Sequence, residues 1–256
     1  MLTHLLIGAL ALADARSAPV IRKSNVLKLR GGVSAEQAQT AIGYITLAQA
    51  AVGYAFTKES MEMYEFKGEI EAPTLAMSKF NYALQIAHAI NLLMPEYGIT
   101  ALAVAIFASS SEFSASMKAP RLPALAWSGL LLALNGPLKD SVPAWVLPGM
   151  LIASGVHGTV AIEQAMDMYQ IGVPLSKQSK TMAKFVNAGF VALGAYLLAP
   201  VLGYSSAQAF GAYGLIYAAF IVKMCTIDGG ADIFNPIGGF VWAAIFGGAA
   251  GSALAA

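Results

Sequence analysis

Residues 61–64 read Met-Glu-Met-Tyr, and 105 positions later residues 166–169 read Met-Asp-Met-Tyr. The same offset places Met-Ser-Lys-Phe at 77–80 on Met-Ala-Lys-Phe at 182–185 without a gap. Over residues 41–98 the alignment gives 14 identities in 58 positions. This is roughly twice what two segments so rich in Ala, Leu and Gly would share by composition. The pattern indicates an internal duplication.

The composition of the chain indicates an integral membrane protein. Of its 256 residues, 57% are hydrophobic and only 11% are charged, whereas a soluble domain carries roughly 25% charged residues. The net charge of +1 offers no basic surface for nucleic acid. The single cysteine excludes an intrachain disulfide and a Cys-rich zinc site. The expected environment is therefore a lipid bilayer, with no nucleic-acid partner.

Eight apolar segments follow residue 35, and none alternates with a period of two, so an all-α fold is predicted. Because four segments fall in each half, we expect two parallel four-helix repeats, over 36–136 and 137–256, with their pseudo-axis along the membrane normal. The fourth segment is the shortest, which leaves six or seven spans as alternatives to eight. The segments are 39–56, 80–94, 97–116, 121–135, 142–162, 182–202, 206–225 and 236–255.

Basic residues orient the predicted spans. With eight spans, nine basic side chains fall on one side of the membrane, while the other side carries only Lys139 between spans, besides the basic N-terminal tail. The positive-inside rule places the nine on the cytoplasmic or stromal side and both termini outside. The nine are Lys58, Lys67, Lys79, Lys118, Arg121, Lys177, Lys180, Lys184 and Lys223.

Residues 1–35 are predicted to be a targeting segment. A short apolar run is followed by small residues, which is typical of a secretory signal peptide cleaved near Ala15 or Ala18. Residues 15–35 are basic and contain no acid, and they resemble the second part of the two-part plastid presequences of algae. The alternative is an ordinary signal peptide with a basic tail. The expected location is accordingly the secretory pathway, with its plasma and endomembranes, or a plastid membrane.

The arrangement of the two halves resembles a family of small membrane proteins. Each half has a first helix, a loop with a Tyr and a turn, and a helix entry containing Lys-Phe, over residues 61–80 and 166–185. This resembles a tandem version of the four-helix DoxX-like proteins. Because members of such families differ in function, the resemblance implies a fold rather than an activity.

Polar residues within the apolar segments are the candidate site. Asn81, Gln85 and His88 share one helix face, and polar groups within a bilayer face other helices or a water-filled cavity. Glu112 and His157 lie in two further segments. We expect these five residues to bind a polar ligand or relay a proton. The alternative is structural: hydrogen bonding between helices for the first three, an interfacial position for Glu112, and a satisfied core position for His157.

The sequence assigns no cofactor. The Met-x-Met-Tyr motif offers thioether ligands for Cu(I), but residues two apart on a helix point in different directions, so a packing role is favoured. In a plastid, His88 or His157 could ligate a chlorophyll or a haem. No catalytic residue is predicted, and the metal content stays open.

The leading functional interpretation is a non-enzymatic protein that binds or moves a small solute or a proton at the repeat interface. A first alternative is a structural or assembly subunit of a membrane complex, for instance a photosynthetic one. A second is a membrane oxidoreductase-type or quinone-reactive subunit that uses His88 or His157 as an acid–base group. The partners are then a solute, other subunits or a second copy of the chain.

Overall fold

The computed structural model describes residues 34–254, and every regular element in that range is a helix, as predicted. One turn of 3-10 helix at Gly230–Asp232 precedes the last α-helix. The targeting segment predicted for residues 1–35 lies almost entirely outside the described residues. The α-helices are α1 (Ala35–Ala55), α2 (Thr57–Met63), α3 (Ala72–Leu93), α4 (Pro95–Met117), α5 (Leu122–Asn135), α6 (Val146–Val160), α7 (Ile162–Met168), α8 (Lys177–Val201), α9 (Ser206–Thr226) and α10 (Pro236–Leu254).

Four of these helices, α4, α8, α9 and α10, are long and apolar enough to cross a membrane. Helices α6 and α7 meet the same criterion together, but they are bent by 115° where they join. Helix α5 is apolar but has only 14 residues, whereas a straight span needs about 20. Length and composition therefore support four spans, or five with the bent pair, and eight spans stay a prediction.

Helices α3 and α8 form the centre of the bundle. Helix α3 packs against α1, α4 and α8, while α8 packs against α6, α9 and α3. Helix α10 packs against both α9 and α1. The first and last helices of the described chain are therefore neighbours, and α1 lies against elements from both halves of the sequence.

The loops that follow α2, α4, α7 and α9 meet at one end of the bundle. The Lys67 amide donates to the Ile233 carbonyl at 2.7 Å, and the Gly172 amide donates to the Met117 carbonyl at 3.0 Å. The Gln178 side chain donates to the Lys67 carbonyl at 2.7 Å. The loops predicted to carry the basic residues of one side thus form a single hydrogen-bonded end.

Ion pairs stabilise this basic end. Asp228 accepts from Lys223 at 2.6 Å and lies 3.4 Å from Lys184. Burial alone would raise the pKa of Asp228, but the two lysines outweigh it and hold that pKa below its ordinary value. Because a lowered pKa means that folding favours the carboxylate, the pairs stabilise the fold above about pH 4.

Helices α6 and α8 approach closely at glycines of α6. A Cβ atom at Gly155 would lie 2.5 Å from the carbonyl oxygen of Asn187 and 2.9 Å from the amide nitrogen of Val191. Both are backbone atoms, so the neighbouring helix could yield only by moving as a whole. Small residues that allow two backbones to approach are a general device of helix packing in lipid.

We therefore expect Gly155→Ala to destabilise the protein by about 1–3 kcal/mol, since the added methyl group overpacks the α6–α8 contact. Thermal unfolding in detergent, followed with a thiol-reactive dye, measures the change, because Cys225 is the only cysteine and is buried. Gly129→Ala is the matched control, since nothing lies within 4 Å of its added Cβ. Equal melting temperatures for the two variants would contradict the expected clash.

Candidate functional site

A cavity of about 110 Å3, here called the inner cavity, lies between α1, α3, α8, α9 and α10. Its lining residues come from α1, α2 and α3 and from α8, α9 and α10, so both halves of the sequence form its wall. Carbon atoms form most of the wall, and no described lining residue carries a charge. The lining residues with a polar group are Thr46, Gln49, Tyr64, Ser78, Asn81, Tyr82, Gln85, Tyr213, Tyr217 and Trp242.

Two hydroxyl groups of the inner cavity have no protein partner. Thr46 is 4% exposed and Ser78 is 2% exposed. Neither hydroxyl makes a hydrogen bond to any part of the chain that the structure describes. Because an unsatisfied buried polar group costs about 1–3 kcal/mol, both hydroxyls favour a hydrogen-bonding occupant of the cavity.

A tyrosine and a tryptophan that both line the inner cavity are hydrogen-bonded to each other. The indole of Trp242, on α10, donates to the hydroxyl of Tyr64 at 3.1 Å. Burial raises the pKa of Tyr64, and the hydrogen bond from Trp242 opposes that shift only in part. Tyr64 is therefore an uncharged phenol at neutral pH, so this pair adds no charge to the cavity wall.

The structure brings two of the predicted site residues, Asn81 and Gln85, to the wall of the inner cavity. His88 lies on the same helix but behind this wall, and it is 1% exposed. Its Nδ1 atom lies 3.1 Å from the Tyr217 hydroxyl and 3.3 Å from the Tyr213 hydroxyl. His88 therefore contacts the cavity only through these two tyrosines.

Glu112 is not among the residues that line the inner cavity. Its carboxylate accepts from Lys79 at 2.7 Å, and its side chain is 50% exposed. The ion pair joins α3 to the end of α4 at the surface of the protein. The interfacial position that the sequence offered as the alternative for Glu112 stays a prediction.

A second, larger cavity of about 590 Å3, here called the lateral cavity, lies between α3, α4, α5, α6, α7 and α8. His157 lines it, together with Tyr169, whose hydroxyl accepts from the Trp127 indole at 3.1 Å. Neither cavity contains both His88 and His157. The two histidines, either of which was predicted as an acid–base group, therefore share no cavity in the described structure.

Sequence reasoning missed much of the inner cavity. Tyr213 and Tyr217 lie four residues apart on α9 and therefore share a helix face, a signal that the sequence does contain. Thr46 and Gln49 on α1 stand three apart and share a face in the same way. What the sequence could not provide is the identity of the helices that face one another, since that depends on the packing of distant segments.

No group of three or more His, Cys, Asp or Glu side chains within residues 34–254 is arranged to hold a metal ion. The methionine motifs are not among these residue types, so copper binding by their thioethers stays open.

No protein-family model, no curated protein and no solved structure matches the chain. The resemblance to the four-helix DoxX-like proteins stays a prediction. The function is therefore inferred from the geometry of the two cavities.

We expect Tyr217→Phe to lower the stability of the protein by about 1–3 kcal/mol, because it removes the nearer of the two hydroxyls that contact the His88 imidazole. The thiol-dye melting curve in detergent measures the effect. Tyr204→Phe is the control, since Tyr204 is 54% exposed. If both variants melted alike, the His88–Tyr217 contact would contribute nothing to the fold.

Proposed function

We propose that this helical membrane protein binds a small, uncharged, polar solute in the inner cavity and moves it across the bilayer. The observation that carries the proposal is the pair of buried, unpartnered hydroxyls on Thr46 and Ser78. They line a cavity that also presents the carboxamides of Asn81 and Gln85. Together these groups offer donors and acceptors but no charge.

The size of the inner cavity limits the solute to a few heavy atoms. An apolar cavity of about 150 Å3 holds benzene, and a cavity needs a volume of roughly 10–15 Å3 to hold one water molecule. The inner cavity of about 110 Å3 therefore has room for several waters or for a solute smaller than benzene. Urea has suitable size and chemistry, and glycerol, which has as many heavy atoms as benzene, lies at the upper limit of size.

A solute is favoured over a proton as the transported species. A proton would pass from the inner cavity through Tyr217 to Nδ1 of His88. The opposite nitrogen of that ring, Nε2, is buried and has no partner in the described part of the chain. The hydrogen-bonded path thus ends at His88, so this residue supports the tyrosines rather than continuing a relay.

We further propose that the chain crosses the membrane eight times as two parallel four-helix units. Three pairs of features 105 residues apart support this. Helices α2 and α7 each have seven residues. Glu65 and Gln170, which follow them, have positive φ angles of 53° and 54°. The hydroxyls of Thr74 and Ser179 are 2.8 Å apart, as expected for equivalent positions beside a common axis.

The aromatic pairs that bound the two cavities support the same architecture. Tyr64 of the first half pairs with Trp242 of the second, and Tyr169 of the second half pairs with Trp127 of the first. Both hydrogen bonds measure 3.1 Å. Each half therefore contributes the tyrosine of one cavity and the tryptophan of the other. This is the arrangement expected if a two-fold pseudo-axis relates the two halves.

The number of crossings is tested by labelling single cysteines with a membrane-impermeant maleimide in sealed vesicles. In a Cys225→Ala background, the four variants are Glu69→Cys, Met94→Cys, Arg121→Cys and Ser141→Cys, all at exposed positions. Eight crossings place 69 and 121 on one side and 94 and 141 on the other, since α3 and α5 both span. Matching sides for 69 and 94, or for 121 and 141, would contradict the proposal.

Solute movement is tested in liposomes of phosphatidylcholine and phosphatidylglycerol by stopped-flow light scattering. We expect urea or glycerol to enter vesicles containing the protein several-fold faster than empty ones, and Gln85→Leu to remove most of that increase. Gln164→Leu is the matched control, because Gln164 is exposed on α7. Entry no faster than in empty liposomes, for both solutes, would contradict the proposal.

A second variant separates function from folding. Thr46→Val preserves shape but removes an unpartnered hydroxyl, so it should slow solute entry while leaving the melting temperature unchanged or raised. A purely structural Thr46 would give normal entry in this variant.

A further inference from the structure

The lateral cavity has a different chemistry from the inner cavity. Its volume of about 590 Å3 lies within the range of roughly 300–1,000 Å3 that is typical of small-molecule sites. Aromatic and thioether side chains form much of its wall, and no charged residue is among the described lining residues. Its aromatic and methionine residues are Met77, Phe80, Phe113, Trp127, Met150, Met166, Met168, Tyr169 and Phe190.

The lateral cavity reaches the surface of the protein beside α5 and α6. Helix α10 packs against α1 beside the inner cavity, but no comparable packing joins α5 to α6 in the described structure. Ala126 on α5 and Ala153 on α6 both line the cavity and are exposed at the surface. The gap between these helices is therefore an entrance.

This entrance faces the bilayer if the helices span it. The exposed side chains beside it are apolar and include Leu125 and Leu130 on α5 and Val156 and Val160 on α6. A molecule reaching the cavity by this route must be soluble in the hydrocarbon of the membrane. No charged residue is among the described lining residues, so the cavity itself also favours an uncharged ligand.

Two of the residues that line the lateral cavity, Ser109 and His157, carry hydrogen-bonding groups. The Ser109 hydroxyl is buried and has no partner among residues 34–254. The His157 imidazole lines the cavity and is half-buried. Both can donate a hydrogen bond, so they suit a ligand with an oxygen acceptor.

We infer that the lateral cavity is a binding site for an uncharged, lipid-soluble small molecule that carries a carbonyl or similar oxygen acceptor. Its apolar body lies against the aromatic and methionine wall, and its oxygen meets Ser109 or His157. The inference depends on the orientation of the helices in the membrane but not on solute movement through the inner cavity, so each can fail alone.

Trp127 provides a local reporter, since it lines the lateral cavity. Of the other two tryptophans, Trp145 is 58% exposed and Trp242 lines the inner cavity. A Trp145→Phe, Trp242→Phe variant therefore leaves emission from Trp127 alone. The probe is duroquinone, a neutral, conjugated cyclic diketone that quenches tryptophan and whose fully methylated ring resists addition of the Cys225 thiol.

In nanodiscs of phosphatidylcholine, we expect duroquinone to quench Trp127 with a saturable binding curve. Ser109→Ala should raise the dissociation constant about three- to tenfold, the equivalent of one hydrogen bond. Ala153→Phe should abolish saturation by filling the entrance. Val104→Phe is the matched control, since Val104 is 57% exposed on α4 and outside the cavity.

Two results would overturn the inference. One is quenching that rises linearly with duroquinone and is the same after Ala153→Phe, which would indicate partition into lipid only. The other is strong quenching of Trp127 by phosphatidylcholine with brominated acyl chains in the absence of duroquinone, together with no saturable quenching by duroquinone in unbrominated nanodiscs, which would identify a lipid chain as the occupant. A saturable curve that responds to both Ser109→Ala and Ala153→Phe supports the site.

Discussion

The contact between α3 and α8 is the constraint on which the rest of the structure depends. It includes the buried hydrogen bond of 2.8 Å between Thr74 and Ser179. Each helix presents one face to the inner cavity and another to the lateral cavity. A shift of α3 against α8 would therefore change both cavities. Gly155 packs tightly against α8 and helps to hold that helix in place, although Gly155 itself lines neither cavity.

Corresponding positions on these two helices give the cavities opposite chemistry. Asn81 and Gln85 of α3 line the inner cavity, whereas Val186 and Phe190 of α8, 105 residues later, line the lateral cavity. A polar wall suits a hydrophilic solute, and an apolar wall suits a molecule that dissolves in lipid. In the proposed repeat, side-chain replacement at these equivalent positions thus gives one cavity a polar wall and the other an apolar wall.

The sequence predicted the helices well and their packing poorly. Each of the eight apolar segments overlaps a helix, because hydrophobicity and helix signals are local. Asn81 and Gln85 reach a cavity as expected, since they share a face of α3. The separation of His88 from His157 was beyond prediction, because it follows from which helices surround α3 and α6, and no local pattern specifies those neighbours.

Helix length accounts for the difference in helix packing beside the two cavities. The pair beside the inner cavity, α1 and α10, packs together and has 21 and 19 residues. The pair beside the lateral cavity, α5 and α6, has only 14 and 15. At about 1.5 Å per residue, the second pair is shorter by roughly 8–9 Å, or more than one turn. With less length to pack along, α5 and α6 make less contact with each other than α1 and α10 do.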